Sequence, residues 1–545
     1  MIEARGLDEV IRGVRDDREA LRRRWHAEGL FGKQTLNDIW REGAERWPES
    51  FQIFFSGERP ERRLTLVERN ELARALAARL QRLGIGKGDA VAIQMPGWWE
   101  ASVLSQAIIA AGATLIPILH HNGPADVTFI LKHARAKMLI VPERAMGVDY
   151  LARLDALGEL PDLERVLVIG EHVRGGGLSW DQFLQLSAGD FDPPEINADD
   201  VCVVMFTSGT TSKPKGVKHS HNTIIAECRT FGARVDPENP VILVTAPYGH
   251  IGSVLDLARG PLTGVSTIVR DRWDARICLE LIARYRPSTM TGVPFQMLTM
   301  LELVDQGVGE ISSLRSFSLG ATSISPAHVH LLERYGIRGS RGYGSTEHPT
   351  VSGAMIDDPL EKRATTDGRA MPDVEVRVVD DDGRDVPDGQ AGEAVTRGPE
   401  LFVGYSDESL DAEAFLPGGW YRTGDIVVRD ADGYITVVDR KKDIIIRGGE
   451  NLSSKEIEDA LAAHPAIMEA AAVGIPDPLY GEKVCAFVTL RAGATFTLDI
   501  ARAHFRELGM AKLKTPERLE IVDELPRTPQ GKIKKVDLRA EALKS

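Results

Sequence analysis

Cysteine is scarce in this chain, with four residues in 545: Cys202, Cys228, Cys278 and Cys485. They lie far apart, in or beside apolar runs, so their spacing fits neither a disulfide framework nor a cysteine metal site. The first eight residues are charged and contain no apolar core, so we expect no secretory signal. Together these absences favour a protein of the reducing cytoplasm.

Positive charge is not in excess. The 66 lysine and arginine residues are outnumbered by 80 aspartate and glutamate residues, which gives a formal net charge of −14. This balance argues against a nucleic-acid backbone or an anionic membrane as the main partner. Local basic patches can still bind phosphate groups.

A long apolar run is also missing. The nearest stretch, residues 101–119, carries no formal charge, but it contains several polar side chains and is interrupted by Gly112 and Pro117. A membrane-spanning helix needs about 20 predominantly apolar residues. We therefore expect no transmembrane segment and interpret this stretch as a buried helix followed by a core strand.

The chain does contain a hydroxyl-rich loop, Phe206-Thr-Ser-Gly-Thr-Thr-Ser-Lys-Pro-Lys-Gly216, directly after the apolar run 201–205. Small residues let backbone N–H groups approach phosphate oxygens, while hydroxyls and lysines add donors and positive charge. It is not a Walker A loop, because Gly209 is followed five residues later by Pro214. A solvated connector is the alternative for such a composition.

The hydrophobic pattern predicts an α/β fold. Segments with helical and strand periodicity alternate over much of the chain, which predicts parallel sheets with helices on their faces. The predicted helices are 72–83 and 99–111, and the predicted strands are 89–95, 113–119, 136–141, 165–169, 201–206, 241–246, 266–269 and 316–319.

The texture changes near residue 373, where apolar and charged side chains alternate between turn signals. We expect an antiparallel, barrel-like subdomain over 373–438, completing a large N-terminal domain of residues 1–438. The charged segment 439–443 is the candidate hinge, and residues 444–545 are expected to form a small, mobile α+β domain. Its helices are predicted at 453–463 and 497–508, with strands near 470–474 and 484–490.

Three further segments suit nucleotide chemistry. Gly342-Tyr-Gly-Ser-Thr-Glu347 can present an aromatic ring beside polar side chains. Tyr421-Arg-Thr-Gly-Asp425 ends in a carboxylate that can accept two hydrogen bonds. Pro526-Arg-Thr-Pro-Gln-Gly-Lys532 carries a lysine near the C-terminus. Taken alone, each has a simpler interpretation: a tight turn, a hairpin turn with a surface aspartate, and a solvated lysine.

In order along the chain, these segments resemble the motifs of the adenylate-forming superfamily, which includes acyl-CoA synthetases, peptide-synthetase adenylation domains and firefly luciferase. Asp439-Arg-Lys-Lys-Asp-Ile-Ile-Ile-Arg-Gly-Gly-Glu-Asn451 matches as well. Segments 25–31 and 94–98 look most like bacterial short- and medium-chain acyl-CoA synthetases and cyclohexanecarboxylate-CoA ligases. Ser212, where Gly is commoner, and Ser345, at a variable position, are small departures.

The resemblance implies two half-reactions. A carboxylate attacks ATP to give an acyl-adenylate and pyrophosphate, and a thiol then displaces AMP. It implies Mg²⁺ on Glu347, ribose contacts at Asp425, and a Lys532 that bridges the carboxylate and the α-phosphate. The expected catalytic residues are Lys532, Thr346, Glu347 and His250. The expected ATP-binding residues are Thr207, Ser208, Gly209, Thr210, Thr211, Ser212, Lys213, Lys215, Gly320, Ala321, Gly342, Tyr343, Gly344, Ser345, Thr346, Asp425 and Arg440.

The resemblance also implies a hinge at Lys442 and a channel for the pantetheine arm at Gly448 and Gly449. The expected acyl pocket consists of Tyr248, His250, Ile251, Gly252, Val293, Pro294, Ala321 and Thr322, together with Ser323. None of these side chains is a lysine or arginine, so a second carboxylate on the substrate is disfavoured. A purely structural histidine is the alternative for His250.

The expected activity is that of an AMP-forming carboxylate-CoA ligase that uses ATP, CoA and Mg²⁺ on a short-chain, medium-chain or alicyclic monocarboxylic acid such as cyclohexanecarboxylate. Thirteen residues follow Lys532, so we expect free CoA rather than a fused carrier domain as acceptor. The alternatives are an acyl-AMP ligase that loads a separate carrier protein, an aryl-CoA ligase and an adenylate-binding sensor. Lys532 is also the kind of residue that a protein acetyltransferase modifies.

Overall fold

The computed structural model describes residues 6–187, 189–207, 214–230, 235–322, 324–447, 450–527 and 533–544. Within these ranges the chain forms two large mixed sheets, an antiparallel sheet and a smaller C-terminal sheet, all accompanied by helices. The predicted α/β class, with a large sheet-rich N-terminal part and a smaller C-terminal part, is confirmed.

Most of the parallel strands are followed by α-helices, and further α-helices lie in other parts of the described chain. They are α1 (Leu7–Ala27), α2 (Leu36–Arg46), α3 (Leu66–Arg82), α4 (Trp99–Ala110), α5 (Pro124–Ala134), α6 (Tyr150–Asp155), α7 (Trp180–Gln185), α8 (His221–Arg229), α9 (Ile251–Thr263), α10 (Ala275–Tyr285), α11 (Pro294–Asp305), α12 (Pro326–Arg334), α13 (Leu360–Thr365), α14 (Asp411–Ala414), α15 (Ser454–Ala462), α16 (Leu498–Glu507) and α17 (Lys535–Ala542). No helix within the described ranges combines the length and apolar character that a membrane crossing requires.

The first sheet carries the strand that leads into the hydroxyl-rich loop. Its strands, in spatial order, are β21 (Gly404–Tyr405), β11 (Lys215–Ser220), β10 (Val201–Thr207), β4 (Thr114–Ile118), β3 (Ala90–Gln94), β5 (Ala136–Pro142), β8 (Arg165–Ile169) and β9 (Leu178–Ser179). From β10 to β9 the neighbours are parallel, whereas β11 is antiparallel to both β10 and β21. A small hairpin of β6 (Arg144–Ala145) and β7 (Val148–Asp149) lies beside it.

The second sheet has a parallel centre. Its strands, in spatial order, are β18 (Arg369–Ala370), β17 (Ser352–Gly353), β16 (Arg338–Tyr343), β15 (Ser316–Leu319), β14 (Thr289–Gly292), β12 (Val241–Val244), β13 (Ser266–Arg270), β1 (Phe51–Phe55) and β2 (Arg62–Thr65). Neighbours from β16 to β1 are parallel, and the remaining pairs are antiparallel. The carboxyl ends of the parallel strands therefore share one edge.

The antiparallel sheet follows in the chain. Its strands are β19 (Glu375–Val379), β20 (Ala391–Arg397), β22 (Phe415–Leu416), β23 (Trp420–Arg429) and β24 (Ile435–Arg440). The C-terminal sheet consists of β25 (Ile445–Arg447), β26 (Glu450–Leu452), β27 (Ile467–Asp477), β28 (Gly481–Leu490) and β29 (Arg518–Ile521). Helices α15 and α17 both pack against β27.

Local sequence signals explain where several helices begin. Thr65 and Glu68 form a reciprocal capping box, so α3 begins at Leu66, six residues before the helix that apolar periodicity predicts at 72–83. The uncharged stretch 101–119 becomes most of α4 followed by β4, both largely buried, as expected. Ser453 caps α15 by accepting a hydrogen bond from the Glu456 amide, while the Glu456 carboxylate pairs with Lys514.

The N-terminal helix α1 buries several side chains although its sequence is highly charged. Val14, Leu21 and Trp25 of α1 are buried. The guanidinium of Arg18 lies 4.5 Å from the centroid of the Phe415 ring and donates to the carbonyl of Phe402. Helix α1 is therefore anchored on the segment that follows β20, through apolar contacts and a buried arginine.

Candidate active site

The parallel centre of the second sheet gathers the expected acyl pocket. Tyr248 to Gly252 follow β12, Val293 and Pro294 follow β14, and Gly320 and Ala321 follow β15. These strands are adjacent and parallel, so the three segments leave the sheet at the same edge. Ligands of open α/β sheets characteristically bind beyond the carboxyl ends of the strands.

Tyr248 is more deeply buried than a pocket wall needs to be. Its side chain belongs to the apolar core, the residue is 7% exposed, and its hydroxyl lies 2.5 Å from the Ser105 hydroxyl of α4. Ile251 is also buried, whereas Gly252 and Val293 keep partial exposure. The expected pocket therefore has a buried wall, formed by Tyr248 and Ile251, and a partly exposed side, formed by Gly252 and Val293.

His250 lies immediately before α9, at its N-cap. Its ring Nδ1 accepts a hydrogen bond from the Gly252 amide at 3.4 Å, which leaves the proton of a neutral ring on Nε2. This capping contact is a structural role, which is the alternative that the sequence leaves open for His250. The catalytic role of His250 remains a prediction.

Ala321 adopts a left-handed backbone conformation, with φ of 64°. An L-residue with a Cβ is disfavoured there, and such strain is concentrated at functional sites. The preceding Gly320 amide donates to the Gly292 carbonyl at 3.2 Å, which ties the turn to the neighbouring strand. The turn is thus held at the edge where the expected pocket opens.

Asp425 is the best-defined polar group of the expected nucleotide site. It lies on β23, is 3% exposed, and accepts a hydrogen bond from the Tyr343 hydroxyl at 2.7 Å. The Arg440 guanidinium pairs with its other oxygen at 2.8 Å, from the facing position on β24. Burial and the adjacent Asp425 carboxylate raise the pKa of Tyr343, so the phenol stays protonated and donates.

Glu347 lies next to Tyr405 and near Lys215. The Tyr405 hydroxyl donates to Glu347 Oε1 at 2.9 Å, and the Lys215 ammonium lies 5.2 Å from the Tyr405 ring centroid. Burial and the Glu347 carboxylate raise the pKa of Tyr405. Glu347 is partly exposed, so its second oxygen suits a Mg²⁺ ion, which typically binds through one or two carboxylates together with water and substrate phosphates.

The loop that carries Glu347 is supported from beneath by two buried histidines. His219 Nε2 lies 2.8 Å from the carbonyl oxygen of Thr346, and His348 Nδ1 lies 2.9 Å from the Thr396 hydroxyl. A Cβ on Gly344 would lie 2.1 Å from the Pro349 carbonyl oxygen, so this position requires glycine. Burial lowers the pKa of His219 to about 4 and that of His348 to about 3.

Several expected site residues lie outside the described part of the chain. They are Ser208, Gly209, Thr210, Thr211, Ser212, Lys213, Ser323, Gly448, Gly449 and Lys532. The two ends of the hydroxyl-rich loop are described: Thr207 of β10 pairs with Lys215 of β11. The loop is therefore the connection of an antiparallel hairpin at the edge of the parallel strands.

The candidate hinge begins inside a strand. Asp439 and Arg440 belong to β24, and Asp439 is 6% exposed, so the exposed turn is confined to residues near Lys442. The Lys441 amide donates to the Gly424 carbonyl, and the Asp443 amide donates to the Arg440 carbonyl. The sequence pattern predicts all five residues 439–443 as one charged connector, whereas the structure places the first two in a strand.

His219, His348 and Tyr405 were not predicted from the sequence. His348 had a weak signal, since it directly follows Glu347, and His219 lies three residues after the hydroxyl-rich loop. Tyr405 had none, because it reaches Glu347 only through the pairing of β21 with β11.

Comparison with known proteins now adds to this geometry. A family model described as AMP-binding enzyme matches residues 40–406, and one described as AMP-binding enzyme C-terminal domain matches residues 456–532. This chain belongs to the AMP-binding enzyme family. It is an adenylate-forming enzyme, and acyl-CoA synthetases are among its relatives.

Three similar proteins illustrate the family. The chain is 34% identical to a medium-chain fatty-acid–CoA ligase of Escherichia coli K12, covering 96% of this chain and 94% of that protein. It is 32% identical to a 2-hydroxy-7-methoxy-5-methyl-1-naphthoate–CoA ligase of Streptomyces carzinostaticus, covering 95% of each. A crystal structure of the anthranilate CoA ligase AuaEII with anthranoyl-AMP matches with a TM-score of 0.85 and 27% identity, covering 94% of this chain and 98% of that one.

Proposed function

We propose that this AMP-forming acid–CoA ligase converts a monocarboxylic acid of modest size into its CoA thioester. In the first half-reaction the carboxylate would attack the α-phosphorus of ATP and release pyrophosphate. In the second, the CoA thiol would attack the acyl carbon and release AMP. The pairing of Asp425 with Tyr343 and Arg440, beside the Glu347–Tyr405 pair, supports this proposal most directly.

In this proposal the described side chains bind different parts of the nucleotide. Asp425, fixed by two donors, would accept the ribose hydroxyls, and Lys215 would face the phosphates from the end of β11. Glu347, oriented by Tyr405, would hold Mg²⁺. The bound ion would neutralise triphosphate charge and polarise the phosphoryl oxygens. Lys532 would stabilise the charge that develops between the carboxylate and the α-phosphate.

For the acid, we propose a short-chain, medium-chain or alicyclic compound such as cyclohexanecarboxylate. The expected pocket combines the buried wall of Tyr248 and Ile251 with small residues, and none of its members is a lysine or arginine that could pair with a second carboxylate. The Escherichia coli relative is named for medium-chain fatty acids. The other two relatives are named for aromatic acids, so an aryl-CoA ligase is the second candidate.

A panel of acids tests the substrate. We would measure kcat/KM from pyrophosphate release with ATP, Mg²⁺ and CoA, using butyrate, hexanoate, octanoate, cyclohexanecarboxylate, benzoate, anthranilate and palmitate. We expect the highest value for butyrate, hexanoate, octanoate or cyclohexanecarboxylate. A clear preference for benzoate or anthranilate would establish the aryl alternative, and a preference for palmitate would contradict both.

The thiol acceptor is tested by the dependence of AMP release on CoA. We expect steady AMP release with CoA and, without it, a single burst of pyrophosphate equal to the enzyme concentration. Steady release only with a phosphopantetheinylated carrier protein would instead indicate an acyl-AMP ligase. No pyrophosphate from any acid would indicate an adenylate sensor.

We further propose that acetylation of Lys532 controls the first half-reaction, because it removes the charge on which that step depends. Treatment with an acetyl donor and a protein acetyltransferase should lower adenylate formation in proportion to the acetylation of Lys532 found by mass spectrometry. Full activity with complete acetylation would contradict the proposal.

A further inference from the structure

Three buried polar side chains and one largely buried lysine meet where the antiparallel sheet contacts the C-terminal helices. They are Asp439 of β24, Ser454 and Glu458 of α15, and Lys535 of α17, here called the hinge latch. Asp439, Ser454 and Glu458 are 8% exposed or less, and the Lys535 side chain is 16% exposed. Groups of this polarity are costly to bury unless they bond to one another.

Asp439 binds the first turn of α15. Its Oδ2 accepts from the Ser454 amide at 2.5 Å and from the Ser454 hydroxyl at 2.8 Å, with the Lys455 amide 3.4 Å away. The first amides of a helix lack intrahelical acceptors and carry partial positive charge, so a carboxylate there satisfies donors and gains electrostatic stabilisation. This contact joins a strand before the hinge to a helix after it.

Lys535 extends the same network into the last helix. Its ammonium donates to the Ser454 hydroxyl at 2.6 Å and pairs with Glu458 Oε1 at 2.7 Å. Glu458 Oε1 also accepts from the Ala472 amide of β27 at 2.9 Å. These contacts bind helices α15 and α17 to each other and to the C-terminal sheet. Ser454 is the residue that connects this group to Asp439.

The latch is close in sequence to the expected tail lysine. Lys535 begins α17 three residues after Lys532, and Arg527 pairs with Ile533 in an isolated bridge on either side of that segment. Lys534 lies close enough to His121, beyond the end of β4, for its charge to contribute to the lowered pKa of that histidine. With the latch closed, Lys534 therefore lies near the carboxyl edge of the first sheet.

We propose that Asp439, through Ser454 and Lys535, is a positioning residue that holds the C-terminal helices in the orientation required for adenylate formation. The inference rests on the proposed function and its two half-reactions. Asp439 and Ser454 lie on opposite sides of the exposed turn near Lys442, so any rotation about that turn separates them. The latch therefore favours the first half-reaction and opens before the second.

The two half-reactions, measured separately, test this role. Asp439→Asn, Ser454→Ala and Lys535→Met should each slow single-turnover pyrophosphate release at least tenfold. Thioester formation from a supplied acyl-adenylate and CoA should stay within twofold of wild type or become faster. Glu456→Ala is the matched control, because this exposed residue of α15 pairs with Lys514 of the same unit and should change neither step. Equal loss in both steps would overturn the proposal.

Limited proteolysis tests the latch without any substrate. Lys441 and Lys442 are exposed trypsin sites in the turn, and Arg440 at the end of β24 is a third exposed site beside it. An open latch should make them more accessible, so we expect cleavage there at least fivefold faster in Ser454→Ala than in wild type or Glu456→Ala, with fragments identified by mass spectrometry. Unchanged cleavage would overturn the latch even if the enzyme is active. Absence of pyrophosphate release by wild type would overturn the proposed function alone.

Discussion

Asp425 shows how single residues of the site are prepared before a nucleotide arrives. A buried carboxylate without donors is costly, but Asp425 already has the Tyr343 hydroxyl on one oxygen and the Arg440 guanidinium on the other. These contacts fix the direction of the carboxylate. A preoriented acceptor loses little conformational freedom when the ribose hydroxyls bind.

Tyr343→Phe tests this preparation. The change removes the hydrogen bond that the phenol donates to the Asp425 carboxylate, so KM for ATP should rise about tenfold, equivalent to roughly 1.4 kcal/mol, with kcat within twofold. Steady-state kinetics with varied ATP measure it. Tyr434→Phe is the matched control, since it removes a hydroxyl that also donates to an aspartate at 2.7 Å, namely Asp358. An unchanged KM in Tyr343→Phe would contradict the role of this contact.

Lys532→Ala tests the tail lysine. Removal of a well-placed charge from a developing anion typically costs on the order of 100- to 1000-fold in rate. We expect that loss in carboxylate-dependent pyrophosphate release, with ATP affinity in equilibrium binding changed less than threefold. Lys544→Ala, which removes an exposed lysine from the same tail, should have no effect. Wild-type turnover in Lys532→Ala would exclude the residue from the reaction.

At the scale of elements, the turn after β24 is the place about which the C-terminal part would rotate between the two proposed half-reactions. Lys442 lies between residues whose amides are engaged, at Lys441 and Asp443, yet its own side chain is exposed. Rotation about this turn requires backbone freedom rather than a particular side chain.

Lys442→Pro should therefore separate the half-reactions. Proline fixes φ near −65° and restricts the preceding residue, which opposes rotation. We expect adenylate formation within threefold of wild type and thioester formation at least tenfold slower, both measured in single turnovers. Lys442→Ala keeps the backbone mobile and should leave both steps within twofold. Loss of both steps in the proline variant would indicate misfolding instead.

At the scale of the whole molecule, buried neutral histidines make stability depend on pH. His219 is fully buried and its pKa is lowered to about 4 by burial, so it stays neutral in the folded protein down to that pH. In the unfolded chain the ring takes up a proton below its usual pKa of about 6.5. The unfolded state then binds more protons, and stability falls as pH falls from about 6.5 towards 4.

His219→Gln isolates this contribution. Between pH 7 and pH 5, His219 should cost wild type about 2 kcal/mol of unfolding free energy that the variant does not lose. The difference between the two proteins cancels the carboxylates and other histidines that both share. Urea unfolding at the two pH values measures it. Parallel losses in both proteins would show that His219 is protonated in the folded state.

Sequence patterns alone predict many of the elements and the enzyme family. Hydrophobic periodicity placed β8 and β15 within their observed bounds, because doubly buried strands are short apolar runs, and motif order identified the adenylate-forming family. The apolar pattern placed the start of α3 too late, because the capping box of Thr65 and Glu68 that starts this helix is not an apolar signal. These features depend on neighbours in the chain.

Only the tertiary structure decided which distant residues meet. The contacts of Tyr343 with Asp425, of Tyr405 with Glu347 and of Asp439 with Ser454 join separate strands and helices, so no local pattern specifies them. The same holds for burial: Asp439 belongs to a charged run that predicts a connector and hinge, yet strand pairing and the first turn of α15 enclose its carboxylate. Local spacing determines an element, whereas packing across the chain determines which polar groups lose water and must find partners.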